Sequence, residues 1–462
     1  MNKKPLLFLL AAVAVFLPLS NLLGLSGENE PIVAVSGTTP NFAKTTQIFQ
    51  NKCVDCHSPG MTRMPVYAKL PIAKQLMAQD ISNASARLIL SKALYSGEEK
   101  FTPLALARLE GAILNNSMPP HLYLSMHWAA KLTPEDKQTI LAWIAEERAL
   151  LPLSKDTTKA LKGEPIQPLP LKVSVDPQKI ALGKKLFHDP LLSADNTMSC
   201  SSCHDLTKGG TDQAKVATGI KGQQGPINSP SVYNAMYNLA QFWDGRAKDL
   251  QAQAAGPVAN PGEMGEQWDH VVSKLTQVSE YKTAFDTLYG QQSLTKDTVT
   301  DAIAGYEQSL VTPNSRFDKY LRGDKAILTA NEMAGYDLFK INCASCHNGP
   351  AVGGLSYEKM GVKQDYFKLR GGPLTETDNG RFNVTKDEKD RHFFKVPVLR
   401  NVELTFPYFH DGSVANLAEA VRIMGKVQKN KNFTEEETNN IVAFLKTLTG
   451  EYQGKSLAPL TK

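Results

Sequence analysis

The chain has 462 residues, 51 Lys+Arg against 46 Asp+Glu, and six Cys. An apolar fraction of 42% and a charged fraction of 21% exclude a wholly disordered chain. A net charge of +5 with no Lys/Arg cluster gives no sign of a nucleic-acid partner, and six Cys are too few for a disulfide scaffold of this length.

The first element is an uncharged apolar run, Pro5 to Leu25, behind Lys3 and Lys4. Its 21 residues are enough to span a bilayer. The positive residues place the N-terminal side in the cytoplasm and export the body. The competing reading is a cleaved signal peptide, for which Gly24-Leu25-Ser26 is a weak cleavage site. The run is long for a signal apolar region of about 7–15 residues, so a retained anchor over 1–27 is expected.

All six Cys fall in three copies of one pattern: Cys53-Val-Asp-Cys56-His57, Cys200-Ser-Ser-Cys203-His204 and Cys343-Ala-Ser-Cys346-His347. At this chain's Cys and His frequencies, one C-x-x-C-H match is expected by chance roughly 0.0015 times. The pattern is the attachment signature of c-type haem: two thiols form thioethers with the vinyl groups, and the His ligates iron. A dithiol or a zinc ribbon leaves the three His unexplained. Three covalent haems are therefore expected, with no Cys left for disulfides.

The motifs also divide the chain. A recurring pair precedes each of them, Ile48-Phe49, Leu186-Phe187 and Leu338-Phe339, and predicts a helix with an apolar face. Thr133-Pro134-Glu135-Asp136 supplies an N-cap, Pro at N1 and acids in a first turn, followed by Ile140, Leu141 and Ile144. Thr434 to Glu437 forms a capping box before Ile441, Phe444, Leu445 and Leu448. Both read as closing helices of cytochrome-c-like modules. Pro152 to Pro177, with five prolines, reads as a stiff linker. The expected organisation is an anchor (1–27), a mono-haem module (28–151), a linker (152–176) and two further haem modules (177–322 and 323–462). The fold class is mainly α, with long loops around the cofactors.

An iron that only carries electrons needs a second axial ligand, usually Met or His. For the first haem Met118, in a Pro-rich loop before the closing helix, is favoured over Met126, His121 and His127. For the third it is Met424, with Met360 as the alternative. Between His204 and Met264 only Met236 is available and no His occurs. The second iron is thus the one expected to be open to a substrate.

Residues 176–450 strongly resemble the bacterial di-haem cytochrome c peroxidases. The resemblance rests on Gly183-Lys-Lys-Leu-Phe187, Asn228-Ser-Pro230, Gln241-Phe-Trp-Asp-Gly-Arg246, Gly380-Arg-Phe382, Phe394-Lys-Val-Pro397, Leu399-Arg-Asn401 and Pro407-Tyr-Phe-His-Asp-Gly412. The added N-terminal haem module and anchor resemble the tri-haem, membrane-anchored members, the quinol peroxidases.

That resemblance implies a peroxidatic haem at Cys200, Cys203 and His204, and an electron-transfer haem at Cys343, Cys346, His347 and Met424. It places Trp243 between them, Glu263 as the distal acid–base and Gln253 as an amide that positions peroxide. Asn228, with the carbonyls of Thr405 and Pro407, would hold one calcium ion. Arg246 and Arg400 would support propionates. Ubiquinol, menaquinol or a small redox protein (a cytochrome c or cupredoxin) would donate electrons, which pass from the first haem to the third and then to the second. The resemblance also implies the periplasmic face of a bacterial inner membrane, and allows a homodimer.

Two departures matter. Many di-haem members carry a blocking His after the peroxidatic motif, whereas here the loop reads Ala217-Thr-Gly-Ile-Lys-Gly222. An iron open in the fully oxidised protein is therefore expected. Met424 stands where related tryptophan-oxidising maturation enzymes have Tyr, which favours a peroxidase. The remaining classes are a multihaem electron carrier and a radical-forming or oxygenating haem enzyme.

Overall fold

The computed structural model describes residues 39–58, 70–125, 127–152, 157–158 and 161–459. The expected anchor and the rival ligand Met126 lie outside these residues. No helix among the described residues is long and apolar enough to cross a membrane.

The expected mainly helical class is observed. The helices that organise it are α1 (Phe42–Lys52), α2 (Pro71–Arg87), α3 (Pro103–Leu114), α4 (Pro134–Ala149), α5 (Pro177–Phe187), α6 (Leu250–Ala259), α7 (Lys296–Ser309), α8 (Ala330–Asn342), α9 (Leu417–Lys429) and α10 (Glu435–Lys446). Among the described residues the strands form two short antiparallel pairs, one of them β1 (Tyr357–Lys359) with β2 (Phe393–Lys395).

The described chain forms two compact units, one reaching Ser154 and taking in Lys162–Pro165, the other built from Lys155–Leu161 and Ile166 onward. In the first, Thr133 accepts from the Asp136 amide at 3.1 Å, and the Asp136 carboxylate accepts from the Thr133 amide at 2.7 Å. This reciprocal cap starts α4 where the sequence signals placed it. The helix buries Ile140, Trp143 and Ile144. The Trp143 ring meets Phe101 at 4.8 Å and Phe49 at 5.6 Å, both edge-on. Such pairs each add about 0.5–1.5 kcal/mol beyond area burial.

In the second unit one packing device occurs twice. α5 crosses α7 at Gly183, where a Cβ would lie 1.9 Å from the Ala302 carbonyl oxygen. α8 crosses α10 at Gly335, where a Cβ would lie 1.9 Å from the Asn440 carbonyl oxygen. Each glycine stands three residues before the Leu of a recurring Leu-Phe pair, so one helix face supplies both the close crossing and the buried Phe. Phe187 and Phe339 are fully buried, as is Phe49 in the first unit. The expected capping box at Thr434 starts α10, and Ile441, Phe444, Leu445 and Leu448 are buried behind it.

The three largest apolar cores among the described residues each pack against the first Cys of one motif: Cys53, Cys200 and Cys343 respectively. The Pro-rich stretch contributes buried Ile166, Gln167 and Leu169. Arg322 donates to the Leu169 carbonyl at 2.5 Å, and Ile166 bridges Gly349.

Arg400 is fully buried and grips Asp318, with Nη2–Oδ1 at 2.7 Å and Nη1–Oδ2 at 3.0 Å. Its other donors go to the Gln167 carbonyl at 3.0 Å, Ser315 Oγ at 3.3 Å and the Pro350 carbonyl. All five guanidinium donors are therefore spent on protein acceptors. This corrects the expectation that Arg400 serves a propionate: it is a clamp that joins distant segments of one unit.

Candidate active site and haem cradles

No Cys pairs with another: all six are free and half-buried. Burial pushes the thiols of Cys53 and Cys343 up to about 12 and those of Cys56 and Cys203 up to about 11. It raises Cys200 as well, with the neighbouring Glu307 adding to the effect. Buried thiols of this kind are not activated nucleophiles. They fit thioether bonds, in which sulfur carries no charge. The motif His residues fit too. His57 Nδ1 lies 2.9 Å from the Leu88 carbonyl, and His204 Nδ1 lies 3.2 Å from the Gly210 carbonyl. Each contact fixes the tautomer and turns Nε2 outward as the ligating nitrogen. Burial lowers the pKa of both rings and brings His347 down to about 4, so all three stay neutral, as iron ligation requires.

Beside Cys56 lies a small hollow lined by Asp55, Met77, Asp80, Ile81, Tyr123 and His127. The His127 ring stacks on Tyr123 at 3.8 Å, and Tyr123 donates to Asp55 at 3.3 Å. Met118 is 40% exposed, and His121 is exposed on a single helical turn. Met77, which sequence reasoning did not consider, sits on α2 one turn before Ile81. That spacing of two apolar residues was the available signal.

Around the second motif, α6 ends in a turn that carries Glu263. Asn260 shapes it: its carbonyl accepts from the Glu263 amide at 3.0 Å, and its Oδ1 accepts from the Gly262 amide at 3.0 Å. Its Nδ2 donates to Glu263 Oε1 at 2.7 Å. Burial raises the Glu263 carboxyl above its ordinary range, against opposing pulls from Asn260 and Arg246. Glu263 in turn helps raise Cys203, so the carboxylate is within electrostatic reach of that attachment residue. Gln253 is half-buried on α6, ten residues before Glu263.

The loop without His is sealed onto the Glu263 turn. The Ile220 amide donates to the Glu263 carbonyl at 2.8 Å, and Gln223 Nε2 donates to the Pro261 carbonyl at 3.1 Å. A Cβ on Gly219 would lie 2.0 Å from the Gly262 carbonyl oxygen. Met236 packs against Ala235, Leu250 and Ala304, and Met264 is buried in the core behind α7.

Trp243 joins the two halves of this unit. Its indole donates to the Asn228 carbonyl at 2.9 Å, and its carbonyl accepts from the Lys395 amide at 2.8 Å. Its ring packs in an apolar cluster with Met424, Met360, Phe367 and Phe394. The structure thus brings Trp243 to both candidate sixth ligands of the third haem. Arg246 lies over the Phe242 ring at 3.6 Å and pairs with Asp244 at 3.1 Å.

Asn228 is buried, and its Nδ2 donates to the carbonyls of Ala214 at 2.9 Å and Lys215 at 3.4 Å. Its side-chain oxygen is the atom left for a cation. Its amide donates to the His410 carbonyl at 2.8 Å, which holds the 405–412 segment, with Thr405 and Pro407, against this loop.

A buried ion network beside Trp243 was not foreseen. His410 Nε2 lies 2.8 Å from Asp378 Oδ1, and its ring stacks on Phe394 at 4.4 Å. Arg370 bonds Asp378 at 2.8 Å and Asp411 at 2.9 Å. Asp378, His410 and Asp411 bring their ligand atoms together as a metal site would. Arg370 supplies the positive charge there. Burial pushes Asp378 up, but Arg370, the Thr375 amide and His410 outweigh it and hold the carboxyl well below the usual range.

Glu307 on α7 is a different case: 5% exposed, with Oε2 unpartnered. Burial alone raises its carboxyl from 4.5 to about 8. Below pH 4.5 the acid is neutral folded or unfolded and costs nothing. Between 4.5 and 8 only the unfolded chain ionises, so the folded state loses stability as pH rises. Glu307→Gln is expected to stabilise the protein by about 1–3 kcal/mol at pH 8 and to leave it unchanged at pH 4. Thermal unfolding at the two pH values checks this.

Three C-x-x-C-H cradles in helical cores, one with a half-buried carboxylate of raised pKa near it, define a c-type haem enzyme. Comparison with known proteins agrees. Residues 177–326 match the model of the di-haem cytochrome c peroxidase family, and residues 18–146 match that of a haem-binding domain. A cytochrome c peroxidase of Escherichia coli is 43% identical over 443 residues, 93% of this chain and 94% of its own. A cytochrome c551 peroxidase of Nitrosomonas europaea is 51% identical over 292 residues, 62% of this chain and 85% of its own. A solved MauG-like protein associated with microbial copper homeostasis superposes with a TM-score of 0.54 at 28% identity, over 62% of this chain and 94% of its own. The chain belongs to the di-haem cytochrome c peroxidase family and is a haem peroxidase.

Proposed function

We propose that this protein is a tri-haem quinol peroxidase that reduces hydrogen peroxide to water on the periplasmic face of a bacterial inner membrane. The organisation is an anchor (1–27), an electron-entry module (28–151), a linker (152–176), a peroxidatic module (177–322) and an electron-transfer module (323–462). The observation that carries the reading is Glu263. It is a half-buried carboxylate with a raised pKa, within electrostatic reach of Cys203, beside a loop that offers no His.

When bound at Cys200, Cys203 and His204, the haem supplies the iron and the redox equivalents for the reaction. The chain's own residues handle protons and position. Glu263, ionised, takes the proton from the inner oxygen of peroxide and returns it to the outer oxygen, which then leaves as water. A pKa raised toward neutrality suits both steps. Asn260 keeps the carboxylate aimed, and Gln253 orients the peroxide. Trp243 bridges the modules through Asn228 on one side and the Met424 cluster on the other. Met118 and Met424 would serve as the second ligands of the first and third haem irons. Asn228 and the Thr405 and Pro407 carbonyls would hold one calcium ion, which would pin the loop that Trp243 bonds. Two electrons and two protons from a quinol balance one peroxide and give two waters.

A quinol donor is supported by Lys3, Lys4 and the apolar run before the N-terminal module. The names of the relatives favour a second reading, in which a soluble cytochrome c or cupredoxin donates. Peroxide consumption by membrane-embedded protein is expected with ubiquinol or menaquinol and not with a reduced cytochrome c. The opposite pattern assigns the donor to the second reading.

A further inference from the structure

Lys395 is 6% exposed at the end of β2. Its ammonium makes no hydrogen bond or ion pair among the described residues, and burial alone brings it down to about 8. Lysine is almost never fully buried without an anion, because an isolated buried charge costs several kcal/mol. The neighbouring acids do not serve it. In the β1–β2 register Lys395 faces Tyr357, while Glu358 pairs with Phe394 and so points to the other side. Asp244, next to Trp243, is spent on Arg246. Arg381 lies over the Tyr357 ring at 4.6 Å, so the nearby charge is positive.

Among the described residues no carboxylate pairs with this ammonium. Around Lys395 the chain is laced to the segment that leaves the third motif. The Val396 amide donates to the Ser356 carbonyl at 2.9 Å, and the Gly354 amide donates to the Val396 carbonyl at 2.8 Å. A Cβ on Gly353 would lie 2.1 Å from the Pro397 carbonyl oxygen. The amide of Lys395 itself bonds the Trp243 carbonyl at 2.8 Å.

We propose that Lys395 is the counter-cation of a propionate carboxylate on the haem attached at Cys343 and Cys346, and ties that edge of the haem to the Trp243 backbone. The Arg400 guanidinium, with every donor already engaged, does not compete for this role. The proposal rests on the haem reading of that motif, which covalent haem content reports separately.

Removing a positive charge near an iron favours its oxidised, more positive state, so the midpoint potential falls. The test is a spectropotentiometric titration of the holoenzyme and its variants, with haem stoichiometry and far-UV circular dichroism measured alongside. Lys395→Met is expected to keep its haems and helicity. The reduction equilibrium of the third haem should fall about tenfold, which is about 59 mV for one electron. Lys395→Arg should restore most of the potential, and the other haems should not move. Lys395→Gln, which keeps a polar side chain in the site, should show the same fall and serves if the Met variant misfolds. An unchanged third potential, an equal fall in Lys395→Arg, or a shift at the second haem instead overturns the proposal. Wild-type protein with no covalent haem at Cys343 and Cys346 would overturn the underlying reading rather than this one.

Discussion

Glu263→Gln is expected to cut peroxide turnover by about 10²–10⁴-fold, the range of a lost general acid–base. The substitution keeps the shape of the side chain, and Asn260 at 2.7 Å still finds a partner oxygen. It removes the one property the chemistry needs, a group that takes a proton from one oxygen and delivers it to the other. The effect should fall on kcat and on kcat/KM alike, because the proton moves in the transition state. Covalent haem content and the absorption spectrum of the oxidised protein should be those of wild type. Steady-state peroxide consumption with a saturating donor checks this. Turnover near the wild-type rate would remove Glu263 from the mechanism and assign the proton transfer to another group.

The largest stability effect is expected at Arg400. Replacing it with Met leaves the Asp318 carboxylate fully buried without its cation and strands the carbonyls of Gln167 and Pro350. Breaking such a pair on one side costs about 3–5 kcal/mol. The site joins residues 167, 318, 350 and 400, so its loss should loosen the second unit as a whole. Chemical denaturation should show a lower midpoint for Arg400→Met. Arg391→Met, which removes an ion pair on an exposed 3₁₀ turn, should leave it in place. Equal midpoints for the two variants would contradict the clamp.

What could be read ahead of the structure was local. The C-x-x-C-H motifs, the reciprocal caps at Thr133 and Thr434 and the Leu-Phe pairs each lie within a few residues of chain. Their physics, a helix start or an apolar stripe, is complete at that range. Arg400 was misread because its partners lie 50 to 233 residues away, and an arginine near a haem motif suggests a propionate until its donors are counted. The Asp378–His410–Arg370–Asp411 network was invisible for the same reason. Its members look like ordinary surface residues until Phe367 and Phe394 close over the His410 ring. Glu307 sits in Tyr306-Glu307-Gln308, where nothing local marks a buried acid. Gly183 and Gly335 could have been found by extending the Leu-Phe repeat three residues upstream. In the loop after His204, the absence of His was legible from sequence. Its anchoring to the Glu263 carbonyl at 2.8 Å was not.

The central claim is that the second iron accepts a ligand while every haem is oxidised. It is tested most directly by the electronic and paramagnetic-resonance spectra of the fully oxidised protein, before and after cyanide. The expected result is a high-spin signal from the haem at Cys200 and Cys203 that converts to low spin on cyanide addition, with no prior reduction. A six-coordinate, bis-His low-spin second haem that ignores cyanide until an electron has been added would contradict it.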